Sequence, residues 1–165
     1  MLKPLFQKVL VAYNGSKSSL HAVLYAILMA KLYRCSVKVV CVVDVSSIKQ
    51  LTISKFMVSE EAELLSANLE SDGKKKLDYV TEIAKTKSVK IETQLCYGSV
   101  WSEIIKAADD YKADVILLGG TDDNLDTHYS VRNVISRQDS EIIGSAHCSV
   151  LVIREPYIEQ KIKLV

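Results

Sequence analysis

Short apolar runs alternate with longer amphipathic stretches along most of the chain, and this alternation constrains the fold more than any other feature. Each run has the length of a buried strand, and most stretches between them repeat their apolar residues at helical spacing. Strands that alternate with helices form a parallel sheet with right-handed crossovers. We therefore predict a single doubly wound α/β domain, whose five-stranded parallel sheet has the order 3-2-1-4-5 and helices on both faces. The predicted strands are residues 9–12, 37–43, 89–97, 114–120 and 148–153.

Helices are predicted in four of the intervals. The long second helix contains Gly73 as a weak point, because glycine is a poor helix former. Residues 46–58 mix polar and apolar side chains without a period and are interpreted as a variable connection. The segment 89–97 alternates apolar and polar residues, which is typical of a strand at a sheet edge. The predicted helices run from Ser18 or Ser19 to about Arg34, from about Ser59 to Lys87, from Gly98-Ser99 onwards, and over about 131–143.

Length and composition favour one domain. The chain has 165 residues, of which 48% are hydrophobic and 25% charged, enough for one sizeable core. We assign residues 1–154 to the α/β domain and 155–165 to a C-terminal tail. With 21 basic and 20 acidic residues the formal charge is +1, and the basic run at 74–76 is interpreted as a solvated helix face. We therefore expect no nucleic-acid partner.

The chain shows no signal-peptide pattern and no apolar segment long enough to span a membrane. Its four cysteines, Cys35, Cys41, Cys96 and Cys148, contain no CxxC pair and are interpreted as small buried hydrophobes of a reduced protein. We therefore predict a cytoplasmic location without membrane contact. No spacing of nucleophile, base or paired carboxylates indicates a reaction, so we predict no catalytic residues and no enzyme.

Ligands of doubly wound sheets bind at the carboxyl ends of the strands, where the strand order reverses. In the predicted sheet the loop after the first strand, residues 13–18, faces the loop after the fourth, residues 119–130. The sequence therefore predicts a binding crevice between these two loops.

Four segments resemble the universal stress protein family. KVLVAYNGSKSS is similar to that family's first strand and its aspartate-glycine-serine turn, VVCVVDV to its second strand, ADVILLGG to its fourth, and AHCSVLVIRE to its closing segment. Their order and spacing extend the resemblance over almost the whole chain. It implies the same five-stranded doubly wound fold, a homodimer paired through the last strand, and, as in many members, an ATP site in the crevice.

The chain departs from the ATP-binding pattern of that family. ATP-binding members carry a glycine, two residues, a second glycine, about nine residues and then Gly-Ser, so that backbone N–H groups reach the phosphates. Here Gly119 matches the first glycine, but Asp122 stands at the second and Ser136-Arg137 at the Gly-Ser pair, after a loop about four residues longer. The family's aspartate in the first loop is Asn14. The ATP-binding motif is therefore degenerate.

Three aspartates, Asp122, Asp123 and Asp126, place negative charge where a triphosphate would lie. We therefore do not expect ATP to bind in the family's usual manner, whereas AMP or adenosine remains possible. The same aspartates, with His128, are alternatively ligands of a divalent cation or simply a solvated loop. The resemblance and the crevice together select as cofactor-binding candidates Ala12, Tyr13, Asn14, Val42, Gly119, Gly120, Thr121, Ser136 and Arg137.

The leading functional hypothesis is a non-catalytic cytoplasmic stress-response protein that acts through ligand or partner binding. One alternative is an ATP- or AMP-binding switch with at most slow hydrolysis, and another is an enzyme of the wider nucleotide-handling α/β relatives. We further predict a homodimer through the last strand, Cys148 to Ile153, because an apolar sheet edge is normally paired or covered. The apolar tail residues expected to extend that contact are Tyr157, Ile158, Ile162 and Leu164.

Overall fold

The computed structural model describes residues 1–120 and 135–165. Within them five strands form one parallel sheet in the order β3-β2-β1-β4-β5, which confirms the predicted fold. The central strand β1 pairs with β2 on one side and with β4 on the other, so that Val9 lies beside both Val37 and Val115. The elements are β1 (Lys8–Ala12), α1 (Lys17–Tyr33), β2 (Ser36–Val43), α2 (Val45–Ile53), α3 (Ser59–Thr86), β3 (Ile91–Tyr97), α4 (Val100–Tyr111), β4 (Val115–Gly119), α5 (Arg137–Ser145), β5 (Ser149–Ile153), α6 (Ile158–Lys161) and a closing 3-10 turn (Ile162–Leu164).

Helices cover both faces of the sheet because successive strand side chains point to opposite sides. On one face Val9 and Val11 pack with α1 and α3, and on the other Leu10 and Ile116 pack with α4 and α5. These four side chains are almost completely buried. The sheet is therefore the shared wall of two apolar cores, as the near-continuous apolar strands predicted.

The third strand lies at a sheet edge, as its alternating sequence predicted. It begins at Ile91, two residues later than expected, because the end of α3 captures the preceding residues. Ser88 adopts a left-handed backbone (φ 55°), and the Val89 N–H donates to the carbonyl of Ala84. The helix terminus thus takes Val89, which is buried, out of the strand.

The segment 46–58, predicted to be an irregular connection, is largely helical. Helix α2 occupies most of it, and Asp44 caps the helix by accepting hydrogen bonds from the Ser47 N–H (3.1 Å) and the Ser46 hydroxyl (2.7 Å). Burial would raise the pKa of the Asp44 carboxyl, but hydrogen bonds from Ser46 and Ser47 outweigh it and leave the pKa lowered. Ile48 is the one buried residue of α2, so the helix lacks the apolar stripe that would have predicted it.

Gly73 in α3 meets a packing requirement rather than marking a weak point. A Cβ atom at this position would lie 2.7 Å from Leu95 Cδ1 on β3. The absence of a side chain therefore allows the helix to lie close to the edge of the sheet.

The tail folds back onto its own domain, which corrects part of the interface prediction. Ile158 and Ile162 are buried in the core on the α1 side and are not available to a second chain, whereas Tyr157 and Leu164 are exposed. His21 Nε2 on α1 lies 2.9 Å from the Glu159 carboxylate, and Lys87 Nζ donates to the carbonyl of Val165 at 3.2 Å. Residues 155–165 are therefore packed against α1 and the end of α3.

The helix predicted over 131–143 is α5, which begins after Ser136 and ends at Ser145; residues 131–134 lie outside the described part of the chain. Gly144 and Ser145 form its last turn, in agreement with their interpretation as a helix end. In residues 1–120 and 135–165 no helix is both long and apolar enough to cross a membrane.

Candidate functional site

A crevice of about 270 Å³ opens at the carboxyl ends of β1, β2 and β4, where the sequence predicted it. The strand order reverses here, because β1 connects to β2 on one side and pairs with β4 on the other. The described residues that line it are Ala12, Tyr13, Asn14, Ser16, Ser18, Ser19, Val40, Val42, Val100, Ile104, Leu118, Gly119, Gly120, Ser136, Gln138, Asp139 and Ile142.

One wall of the crevice is apolar. Val40 and Leu118 extend from the sheet, Ile104 from α4 and Ile142 from α5, and all four belong to the core on that face. Val42 and Val100 continue this surface toward solvent as partly buried side chains. The wall therefore suits a flat apolar group such as a nucleobase ring.

The opposite wall is polar and is formed by the turn between β1 and α1. The side-chain oxygen of Asn14 accepts hydrogen bonds from the Ser16 N–H (2.9 Å) and the Ser19 hydroxyl (2.8 Å). Ser16, rather than Ser18 or Ser19 as predicted, caps α1 by accepting from the Ser19 N–H at 3.2 Å. An aspartate oxygen would accept the same hydrogen bonds. Asn14 therefore preserves the turn but lacks the negative charge that an aspartate would carry.

Gly119 ends β4 and Gly120 follows it. Both line the crevice, and both make close contacts with other parts of the chain. A Cβ atom on Gly119 would lie 2.5 Å from the Ser19 nitrogen, so α1 can approach the sheet here only if residue 119 has no side chain. The Gly120 N–H donates to the carbonyl of Ile153 at 3.1 Å. That N–H already has a partner in the protein and is not free to bind a phosphate.

The first turn of α5 closes the crevice. Ser136 caps this helix by accepting from the Asp139 N–H at 3.0 Å, and Gln138 and Asp139 face the cavity. Partial burial raises the pKa of the Asp139 carboxyl, and a hydrogen bond with the Ser136 side chain offsets part of the rise. A carboxylate thus lies in the wall of the candidate site.

Most of the predicted cofactor-binding residues meet in this one crevice: Ala12, Tyr13, Asn14, Val42, Gly119, Gly120 and Ser136. Tyr13 contributes to its rim, while its side chain is buried in the core on the α1 side; burial, followed by Tyr79, Cys41 and Asp72, raises the pKa of its hydroxyl. Arg137 is exposed and lies outside the described lining, so its selection is not supported. Thr121, Asp122, Asp123, Asp126 and His128 lie outside the described residues.

The sequence did not indicate Asp139, Gln138 or most of the apolar wall, of which only Val42 was predicted. The wall residues belong to strands and helices whose apolar patterns predict only core positions, so nothing in the sequence separates them from core. Asp139 had a local signal, because a serine followed three residues later by an acid is the pattern of a capped helix start. That pattern places the acid in the first turn of α5, beside the predicted crevice.

The two described histidines lie outside the crevice and pair with carboxylates. His147 Nδ1 lies 3.0 Å from the Asp109 carboxylate, and His21 pairs with Glu159. Cys35, Cys41 and Cys96 are buried, as predicted, and burial raises the pKa of each thiol. Among the described residues no group of three His, Cys, Asp or Glu side chains is arranged to hold a metal ion.

The model of the universal stress protein family matches residues 5–154, which is most of the chain. This chain belongs to the universal stress protein family. Universal stress protein MJ0531 of Methanocaldococcus jannaschii is 33% identical to it over 152 residues, which make up 92% of this chain and 84% of that relative.

Solved structures of the family share the fold. The universal stress protein from Archaeoglobus fulgidus in complex with dAMP has a TM-score of 0.60 at 18% identity, covering 92% of this chain and 100% of that one. A universal stress protein in complex with cAMP has a TM-score of 0.58 at 19% identity, covering 90% of this chain and 97% of that one. At these identities the similarity establishes the common architecture of this universal stress protein and its relatives.

Proposed function

We propose that this universal stress protein is a non-catalytic cytoplasmic stress-response protein that binds an adenine nucleoside or nucleoside monophosphate in its crevice. The proposal rests on one observation: one wall of the crevice is apolar and the other is polar. The apolar wall from Val40 to Ile142 accepts a base, and the serine-rich turn with Asn14 offers hydrogen-bonding groups to a sugar. Complexes of two relatives of the same fold with dAMP and cAMP, both adenine nucleotides with one phosphate, support this ligand class.

The described residues favour a small ligand over a triphosphate. The Gly120 N–H is bonded to Ile153, and the second glycine of the ATP pattern is replaced by Asp122. The crevice of about 270 Å³ also lies just below the usual range for ligand sites, which is about 300 to 1,000 Å³. The first feature engages one backbone donor at the end of β4, the second adds negative charge to the sequence pattern, and the small volume favours a ligand with at most one phosphate.

A second candidate is the nucleotide switch, because two helices begin at the crevice. The N-termini of α1 and α5 carry partial positive charge that attracts anions. Under this alternative ATP binds at Asn14 and the backbone of residues 119–121, and a requirement for magnesium would assign the aspartates at 122, 123 and 126 as metal ligands. No described residue of the crevice is a cysteine or histidine, so the enzyme alternative has less support.

Titration calorimetry with adenosine, AMP and ATP, each with and without magnesium, tests the proposal. We expect adenosine or AMP to bind and ATP to bind more weakly in the absence of metal. Val100→Trp should abolish binding because it fills the mouth of the crevice, whereas Leu64→Trp, on the exposed face of α3, should not. Tighter binding of ATP than of AMP without metal would contradict the proposal, and ATP binding that requires magnesium would favour the switch.

A further inference from the structure

Asp139 is the one acidic side chain among the described residues that line the crevice. It lies in the first turn of α5, three residues after the Ser136 cap, and it lines the crevice while remaining partly exposed. Its carboxylate shares the lining with Asn14, Ser18 and Gly120. Any ligand held between the two walls of the crevice therefore shares that space with a negative charge.

The carboxylate retains capacity to accept hydrogen bonds. An ionised carboxyl group offers about four lone-pair sites to donors. The Ser136 side chain provides a hydrogen bond to it, but the resulting stabilisation is smaller than the effect of partial burial, which keeps the pKa of Asp139 raised. The ionised Asp139 carboxylate would therefore be stabilised by a ligand that donates hydrogen bonds from its hydroxyl groups.

The same charge opposes a phosphate. The N-terminus of α5 would attract an anion, but Asp139 already places a negative charge in that first turn and satisfies the helix dipole. A phosphate in this small crevice would have to approach a partly buried like charge. By contrast, a carboxylate can accept hydrogen bonds from ribose, as the acidic residue of dinucleotide-binding doubly wound sheets does from the ribose 2′-OH.

We propose that Asp139 sets the ligand class of the crevice: it accepts hydrogen bonds from the ribose hydroxyls of a neutral nucleoside and selects that nucleoside over its phosphorylated form. This inference rests on the proposed function, which leaves nucleoside and monophosphate open. It assigns a specificity role to a residue that the ATP-binding pattern of the family does not include.

The test compares the affinities of adenosine and AMP for three forms of the full chain by titration calorimetry. The unsubstituted protein should bind adenosine more tightly than AMP. Asp139→Asn removes the charge and keeps the size of the side chain, and it should lower the ratio of the AMP to the adenosine dissociation constant roughly fivefold or more. Glu141→Gln removes an exposed carboxylate from the same helix, outside the crevice lining, and should leave the ratio unchanged.

A second comparison needs no variant. The unsubstituted protein should bind 2′-deoxyadenosine or 3′-deoxyadenosine more weakly than adenosine, since a ribose donor to Asp139 is then missing. Tighter binding of AMP than of adenosine by the unsubstituted protein, or an unchanged ratio in Asp139→Asn, would overturn the role of Asp139 while leaving the proposed function intact. If neither ligand binds to the unsubstituted protein or to Asp139→Asn, both the proposed function and this inference are overturned.

Discussion

At the scale of single residues, Gly119 shows how the fold and the site compete for one position. The sequence pattern selects it as a phosphate-binding glycine, whereas the structure shows that its missing side chain admits the backbone of Ser18 and Ser19. The first turn of α1 can therefore lie against the end of β4. A glycine here is required whether or not a ligand binds.

Replacement of Gly119 by alanine should consequently destabilise the protein without any ligand present. The new Cβ would overlap the α1 backbone, which cannot rotate away as a side chain would, and we expect a loss of about 2 kcal/mol in the free energy of unfolding. Gly144→Ala is the matched control, because a Cβ there meets nothing within 4 Å and should stabilise α5 slightly. Urea unfolding of both variants measures the difference, and equal stabilities would argue against this packing role.

Predicted site residues line the crevice where a turn or the end of a strand positions them. Asn14 and Gly119 are recognisable because the sequence around them forms a punctuated strand-turn-helix unit. Leu118 and Ile142 were not recognisable, because a side chain that lines a crevice and one that fills a core obey the same apolar pattern. Only the packing of α4 and α5 on the sheet decides which of them reach the cavity.

At the scale of elements, the strands and long helices were predictable because each buries a continuous or periodic apolar surface. Helix α2 was not, since its stability depends on the Asp44 cap and one buried side chain, Ile48. The short helix α6 was not predicted either. Four residues are too few to show a period, and the helix depends on its contact with α1.

The docked tail leads to a prediction about the C-terminal segment. Ile158 is fully buried between the tail and α1, so Ile158→Ala should reduce the free energy of unfolding by about 3 kcal/mol. Leu164→Ala, in the same segment but 86% exposed, should change it by less than about 0.5 kcal/mol. Thermal or urea unfolding separates the two. If the variants are equally stable, the tail does not contribute to the core.

At the scale of the whole molecule, the strand order leaves β5 as an edge of the sheet. In β5 the side chains of Ser149 and Leu151 are exposed while Ile153 is buried against α1. An unpaired edge strand that is apolar tends to associate with another chain. We propose that two copies of this chain pair through β5, with Tyr157 and Leu164 as the tail residues free to join the contact.

Light scattering at micromolar concentration should therefore give the mass of a dimer. Leu151→Lys should shift the protein to the monomer, because it places a charge on the exposed face of the pairing strand, whereas Leu64→Lys on α3 should remain dimeric. Ile153 is unsuitable for this test because it is part of the chain's own core. A monomeric mass for the unsubstituted chain would exclude this interface, and a dimeric Leu151→Lys would locate it elsewhere.

The close approach of α1 to Gly119 also bears on how such a chain diverges from its relatives. In a lineage that ceased to bind ATP, selection for stability alone would retain this glycine, since any side chain would displace α1. A glycine needed only for phosphate contact would then be free to change to another residue. At the second glycine of the ATP-binding pattern this chain has Asp122. The presence of the first glycine is therefore explained by the packing of the fold, and it does not indicate which ligand the protein binds.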